Sequence, residues 1–253
     1  MPNYTDIRSF FSSQQYDSGI PVRCRREERQ WLTLVDLQLV EQALLTDESV
    51  LLHNVLSSAE FAYFQRFKYI KRKKEWLGGR IAAKAAFFAS TQAQAAIHDP
   101  RSISILPNKY GRPVAEGAPT FSGKNLLLSL SHSDNFAVAL VRSGAACGVD
   151  LQEISTKLAG LTGHFATDAE LQRLAEQVDY DEDTRLTMLW TVKEALKKAL
   201  LHDQSVIFSE TELQEAARLN DSSWCFLCTV QGQLQAVLVY LLPPYILSIT
   251  EDR

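Results

Sequence analysis

The sequence predicts an α+β protein built from two similar α/β halves. Two observations predict it. Short elements recur in the same order about 110 to 114 residues apart, and each half alternates strand-like with helix-like segments. The first echo is Val35-Asp36-Leu37 against Val149-Asp150-Leu151. The second is Ala59-Glu60-Phe61 against Ala169-Glu170-Leu171. The third is Trp76, Arg80 and Lys84 at four-residue steps against Trp190, Glu194 and Lys198. The expected halves are residues 1–145 and 146–253, with Gly144–Gly148 as the joint.

Each half then reads as a strand, a helix opening at the Ala-Glu element, a long helix at the Trp element, and returning strands. In the first half the opening strand is Trp31–Leu37, and the returning strands lie near Ser102–Leu106 and Leu126–Val141. In the second half they lie near Val206–Phe208, Trp224–Val230 and Gln235–Leu242, where short or alternating apolar runs fit strands. A ligand is expected in a cleft between the halves. Residues 1–30 take no clear place, and Cys24-Arg-Arg-Glu-Glu-Arg reads as solvated surface.

Bulk properties narrow the class. The chain has 253 residues, 22% charged and 46% hydrophobic, which fits a folded protein with a sizeable core and not a disordered one. A net charge of -4 does not advertise nucleic acid binding as a whole. The four cysteines, Cys24, Cys147, Cys225 and Cys228, give no disulfide framework, and the C-x-x-C sits inside an apolar strand without a second pair. The N-terminus has no apolar signal region, and Ala236–Leu242 is too short for a membrane span. The expected compartment is a reducing cytoplasm, with no membrane and no nucleic acid as partner. No Walker loop, G-x-G-x-x-G, G-x-S-x-G or H-E-x-x-H occurs.

The residues equipped for chemistry cluster late in the chain. Asp150 lies in an apolar strand, where a carboxylate is costly unless paired or bound to metal. It shares a strand face with Gln152, while Glu153 points away. The plainer alternative is a strand-end Asp capping a turn. Glu194 and Lys198 are four apart and share a helix face. Alone they are an ordinary ion pair. Combined with Asp150 they supply two carboxylates, which with waters and phosphate oxygens make a normal magnesium shell.

Three further segments carry phosphate-binding groups. Ser129, Ser131, His132 and Ser133 crowd the end of an apolar strand. Lys109 and Arg112 sit on a turn set by Gly111 and Pro113. Arg66, Lys68 and Lys71–Lys74 form a dense basic run, either a solvated helix face or a polyanion site.

Together these segments resemble the Sfp-type 4′-phosphopantetheinyl transferases. The resemblance rests on Gly148-Val149-Asp150-Leu151-Gln152, Trp190-Thr-Val-Lys193-Glu194-Ala195-Leu-Lys-Lys198, Ser129-Leu-Ser131-His132-Ser133 and Tyr110-Gly111-Arg112-Pro113. It covers roughly residues 60–240. It implies a pseudo-twofold fold with the cofactor between the halves. It also implies transfer of the phosphopantetheine arm of coenzyme A to a serine of an apo acyl or peptidyl carrier protein, with magnesium. Asp150 and Glu194 would ligate the metal, and Lys198 would contact the pyrophosphate. Ser129, Ser131, His132, Lys109 and Arg112 would hold phosphate groups, with Lys84 and Arg80 as weaker contributors. Gln152 stands where the family has a second acid, so it would be a weak ligand or hold a water. The general base stays open among Glu170, Glu194 and a water on the metal. Duplication within one chain makes a monomer the expectation. The alternative is a degenerate module that binds coenzyme A or a carrier without transfer.

Overall fold

The computed structural model describes residues 6–14, 19–91, 99–201 and 210–251. It divides into two units. One is Phe11–Ala145; the other contains the described residues from 146 onward, together with residues 6–10. The short N-terminal segment therefore belongs with the C-terminal unit, where Phe10 packs on Tyr240 with ring centroids 4.6 Å apart.

The N-terminal unit runs β1 (Ser12–Gln14), β2 (Val22–Glu27), β3 (Gln30–Asp36), α1 (Leu37–Val55), α2 (Ser58–Phe64), α3 (Ile70–Ser90), β4 (Ser104–Pro107), β5 (Pro113–Glu116), β6 (Thr120–Phe121), β7 (Lys124–Ser133) and β8 (Phe136–Ser143). Its main sheet is antiparallel in the order β1-β2-β3-β8-β7-β6, with β4-β5 a separate hairpin. The region Leu126–Val141, expected to return to the sheet, holds β7 and β8 with a turn at Asp134, which takes a positive φ of 45°. Residues Cys24 to Glu27, expected as solvated surface, are in β2, and Cys24 is buried in the core. Burial pushes the Cys24 thiol up to about 11, so it stays protonated.

The C-terminal unit runs β9 (Val149–Glu153), a 3-10 turn (Thr156–Leu161), α4 (Thr162–Phe165), α5 (Asp168–Gln177), α6 (Glu182–Leu200), β10 (Thr211–Asn220), β11 (Ser223–Val230), β12 (Gln233–Leu242) and β13 (Tyr245–Thr250). Its sheet is antiparallel in the order β10-β11-β12-β13-β9. The strand expected at Val206–Phe208 lies outside the described residues. Cys225 and Cys228 sit in β11, as expected.

Local sequence explains the helix starts. Ser57 and Thr167 each cap a helix with a reciprocal capping box, whose glutamates are Glu60 and Glu170. Asp181 caps α6, accepting from the Thr184 amide. In each unit the long helix packs on the antiparallel sheet: α3 on β3, β8 and β7, and α6 on β13, β12 and the edge strand β9. That is the α+β arrangement the sequence predicts. No helix among the described residues is long and apolar enough to cross a membrane.

The two units share an internal device. In the N-terminal unit, Lys84 of α3 is fully buried, with Nζ 2.5 Å from Glu60 Oε2 and donating to the Val55 carbonyl at 2.8 Å. Glu60 Oε1 also accepts from the Ile105 amide of β4 at 3.0 Å. In the C-terminal unit, Lys193 of α6 meets Glu170 at 2.7 Å and donates to the Thr211 carbonyl at 2.9 Å. Glu170 Oε1 accepts from the Leu213 amide of β10 at 2.8 Å. Helix cap, long helix and following strand are tied by one buried ion pair in both places.

Candidate active site

The buried pairs set the register between the units. Lys84 corresponds to Lys193, so Ala85 corresponds to Glu194 and Ala89 to Lys198. The strands follow from their turns: Phe136 of β8 faces Asp36, and Tyr245 of β13 faces Glu153. Counting back three residues makes Thr33 the counterpart of Asp150. The Trp76–Trp190 echo is thus out of structural register by five residues and the Asp36–Asp150 echo by three, so the expected matches of Arg80 with Glu194, Lys84 with Lys198 and Asp36 with Asp150 do not hold.

Asp150 lies in β9 opposite Ser248 of β13. The Ser248 hydroxyl is 2.7 Å from Thr191 Oγ1 on α6, so this sheet face looks at α6. Strand alternation places Asp150 and Gln152 on that face. Lys198, on the last turn of α6, donates to Asp150 Oδ1 at 2.6 Å and to the Val149 carbonyl at 3.1 Å. Glu194, one turn earlier, accepts from Lys197 at 3.3 Å. Gln152 turns its amide nitrogen to the Glu153 carbonyl at 3.2 Å.

Gly148 explains why strand and helix come so close. A Cβ there would stand 1.9 Å from the Ala195 carbonyl oxygen, an impossible contact with helix backbone. Only glycine lets α6 lie this low over the start of β9. The Gly148 amide meanwhile donates to Thr250 Oγ1 at 2.9 Å. The Gly-Val-Asp segment is thus a docking surface for the helix that carries Glu194 and Lys198. The spacing of the motif reports this contact, but sequence reasoning did not extract it.

The donor set suits a hard divalent cation. Asp150 and Glu194 offer carboxylate oxygens from a strand and the helix packed on it, with side chains 8% and 16% exposed. No group of three or more His, Cys, Asp or Glu side chains stands together among the described residues. Two carboxylates fit magnesium, which takes one or two of them beside waters and substrate phosphates.

The other candidates are each set by contacts within their own unit. Glu170, a candidate general base, is 1% exposed, and both its oxygens are held by Lys193, Leu213 and Thr167. A carboxylate so enclosed cannot reach a substrate proton. Lys84, expected to bind cofactor, is likewise sealed in its pair with Glu60; burial lowers its pKa and Glu60 offsets part of that. Arg80 is buried, donates to the Ile105 carbonyl at 3.2 Å and lies 4.1 Å from the Trp76 ring centroid. Burial lowers its pKa to about 10, so it remains charged at neutral pH.

In β7, Ser129, Ser131 and Ser133 are buried on one face, whereas His132 is exposed on the other. The histidine and the serines therefore do not converge on one group by side-chain direction. Asn108 shapes the turn before β5, accepting from the Tyr110 and Arg112 amides at 2.9 and 3.1 Å. Lys109 is exposed there, and Arg112 lines a cavity of about 380 Å³ with Asn108, Pro113 and Leu128. The basic run is partly neutralised: Lys73 pairs with Glu48 at 2.7 Å, and Lys74 pairs with Glu41.

A family model described as the 4′-phosphopantetheinyl transferase superfamily matches residues 146–237, the segment that holds Asp150, Glu170, Lys193, Glu194 and Lys198. A holo-[acyl-carrier-protein] synthase of Onion yellows phytoplasma (strain OY-M) is 32% identical over 113 residues, covering 42% of this chain and 88% of that one. The 4′-phosphopantetheinyl transferase HetI of Nostoc sp. is 26% identical over 146 residues, 57% of this chain and 59% of HetI. A crystal structure of a Bacillus anthracis holo-(acyl-carrier-protein) synthase in complex with CoA (3′,5′-ADP) aligns with a TM-score of 0.38 at 24% identity, covering 46% of this chain and 96% of that one.

Proposed function

This chain belongs to the 4′-phosphopantetheinyl transferase superfamily, and we propose that it moves the phosphopantetheine arm of coenzyme A onto a serine of an apo acyl or peptidyl carrier protein. One observation supports this most: Lys198 meets Asp150 where β9 meets α6, and Glu194 stands one helical turn before Lys198 on that helix. In the proposed reaction the carrier serine oxygen attacks the phosphorus next to pantetheine. The P–O bond to the adenosine side breaks, and adenosine 3′,5′-bisphosphate leaves with that electron pair.

Asp150 and Glu194 are the residues that would hold magnesium. When bound, it would offset the negative charge of the pyrophosphate, as metal ions do in phosphoryl transfer. Lys198 is 27% exposed, so its ammonium can turn from Asp150 toward pyrophosphate oxygens and steady the leaving group. Gln152, on the same strand face, orients a water or lends its amide oxygen. With Glu170 enclosed, Glu194 is the remaining carboxylate candidate for the serine proton. His132, Lys109 and Arg112, with exposed or half-exposed side chains, take phosphates of coenzyme A, and Ser129 and Ser131 support that strand. The chain acts as a monomer, which light scattering checks.

The test is the intact mass of an apo carrier protein after incubation with the chain, coenzyme A and magnesium. The expected result is a gain of one phosphopantetheine arm, absent with Glu194→Ala and absent without metal. No gain on fatty acid, polyketide or peptidyl carriers, with coenzyme A still bound, would overturn transfer in favour of a binding module.

A further inference from the structure

We propose that the buried Glu170–Lys193 pair is a positioning clamp that sets where α6 presents Glu194 and Lys198. The proposal rests on the metal-site reading given above. Lys193 directly precedes Glu194, so whatever fixes the rotation and axial setting of α6 at Lys193 fixes Glu194 as well.

The geometry is directional. The Lys193 ammonium reaches Glu170 Oε1 at 2.7 Å, Glu170 Oε2 at 2.9 Å and the Thr211 carbonyl at 2.9 Å. It donates hydrogen bonds to Glu170 Oε2 and the Thr211 carbonyl, while Glu170 Oε1 adds a close charge contact. Glu170 is itself fixed by the Thr167 amide at 3.0 Å and the Leu213 amide at 2.8 Å. The pair thus ties the start of α5, the middle of α6 and the start of β10. A slide or rotation of α6 by about one ångström would break bonds of this length. Apolar packing along the same helix tolerates such shifts more readily. The neighbouring Cys228 thiol, pushed up to about 12 chiefly by burial, stays neutral and adds no competing charge.

A buried ion pair is weak evidence of stabilisation, since desolvation offsets most of the attraction. Fixing one arrangement of the elements around it is the better account. The N-terminal unit supplies the internal control. Its Glu60–Lys84 pair likewise joins a helix cap, the long helix and the amide of the following strand, though Lys84 donates to the Val55 carbonyl of α1, and Ala85 and Ala89 follow where Glu194 and Lys198 stand. Loosening that pair should disturb a fold element; loosening Glu170–Lys193 should also misplace a ligand.

The experiment measures Mn²⁺ affinity by electron paramagnetic resonance, with unfolding by denaturant measured in parallel on the full chain. The variants are Glu194→Gln, Lys193→Met/Glu170→Leu, Lys84→Met/Glu60→Leu and Lys193→Arg. Replacing both partners avoids a stranded charge. The clamp predicts that Lys193→Met/Glu170→Leu binds Mn²⁺ about 10- to 100-fold more weakly, the range for losing a supporting contact. Lys84→Met/Glu60→Leu should leave Mn²⁺ affinity unchanged. Wild-type affinity in a folded Lys193→Met/Glu170→Leu chain would overturn the clamp. If that variant does not fold, Lys193→Arg decides: weaker Mn²⁺ binding with helix content intact supports the clamp, and unchanged binding overturns it. Failure of the underlying site reading looks different: wild type binds no Mn²⁺, or Glu194→Gln binds it as well as wild type, and the clamp falls with it.

Discussion

The two units use one frame for two purposes. Each has a capped short helix, a long helix on an antiparallel sheet and a buried Glu–Lys pair joining them. At three corresponding positions the N-terminal unit has Thr33, Ala85 and Ala89, and the C-terminal unit has Asp150, Glu194 and Lys198. Thr33 satisfies itself by donating to the Ala82 carbonyl at 2.7 Å, an ordinary strand-to-helix contact. Asp150 instead needs a cation, and Lys198 supplies one. The frame is a folding solution, and the proposed chemistry rests on three residues that differ on it.

The largest expected effect breaks this comparison at its ionic positions. Asp150→Asn or Glu194→Gln should slow carrier modification by more than the roughly 10- to 100-fold that follows loss of a metal's outer support. Thr33→Val, at the corresponding place, should leave the rate unchanged in the same mass-spectrometric time course. Next come the shared pairs. Lys84→Met alone or Lys193→Met alone leaves a buried carboxylate unpaired and should cost about 3–5 kcal/mol in denaturant unfolding. Similar losses from both units would confirm one frame; a large loss in only one would deny it.

Glycines sharpen the comparison further. Gly148→Ala drives a Cβ against helix backbone at 1.9 Å and should cost about 1–3 kcal/mol, lowering transfer by lifting α6. Gly79→Ala in α3 meets nothing closer than Leu130 at 3.9 Å and should stabilise by about 0.5–1 kcal/mol. The smallest effect concerns the α6 cap. Hydrogen bonds from the Thr184 amide and hydroxyl hold the Asp181 carboxyl below its ordinary value of 3.8. A depressed folded value means that its contribution is present above the unfolded pKa and lost as pH falls through the folded one. Asp181→Ala should therefore cost about 1 kcal/mol near neutral pH. That difference from wild type should vanish in strong acid, as thermal unfolding across pH would show.

The legible part of the site follows from periodicity. Alternation in β9 puts Asp150 beside Gln152, and four-residue spacing puts Glu194 beside Lys198. The α+β halves are legible from recurring element order. Side-chain direction is what misled elsewhere. Glu170 and Lys84 are reactive types at suggestive positions, but Thr167-x-x-Glu170 is a capping box, and that pattern already turns Glu170 inward. Trp76 and Trp190 are conspicuous, so they attract alignment, although the buried lysines carry the true register. The Ser129–Ser133 segment read as phosphate-binding groups crowded at the end of a strand; strand period two sends His132 away from the serines. Cys24 to Glu27 looked solvated because arginines flank a buried cysteine on an alternating strand.

The most direct test exchanges the three differing positions. Asp150→Thr, Glu194→Ala and Lys198→Ala together give the C-terminal unit the side chains of its counterpart, and the measurement is the intact mass of an apo carrier protein incubated with coenzyme A and magnesium. The account predicts a folded chain that adds no phosphopantetheine, while wild type modifies the carrier fully. A triple variant that still adds the arm at the wild-type rate would contradict it.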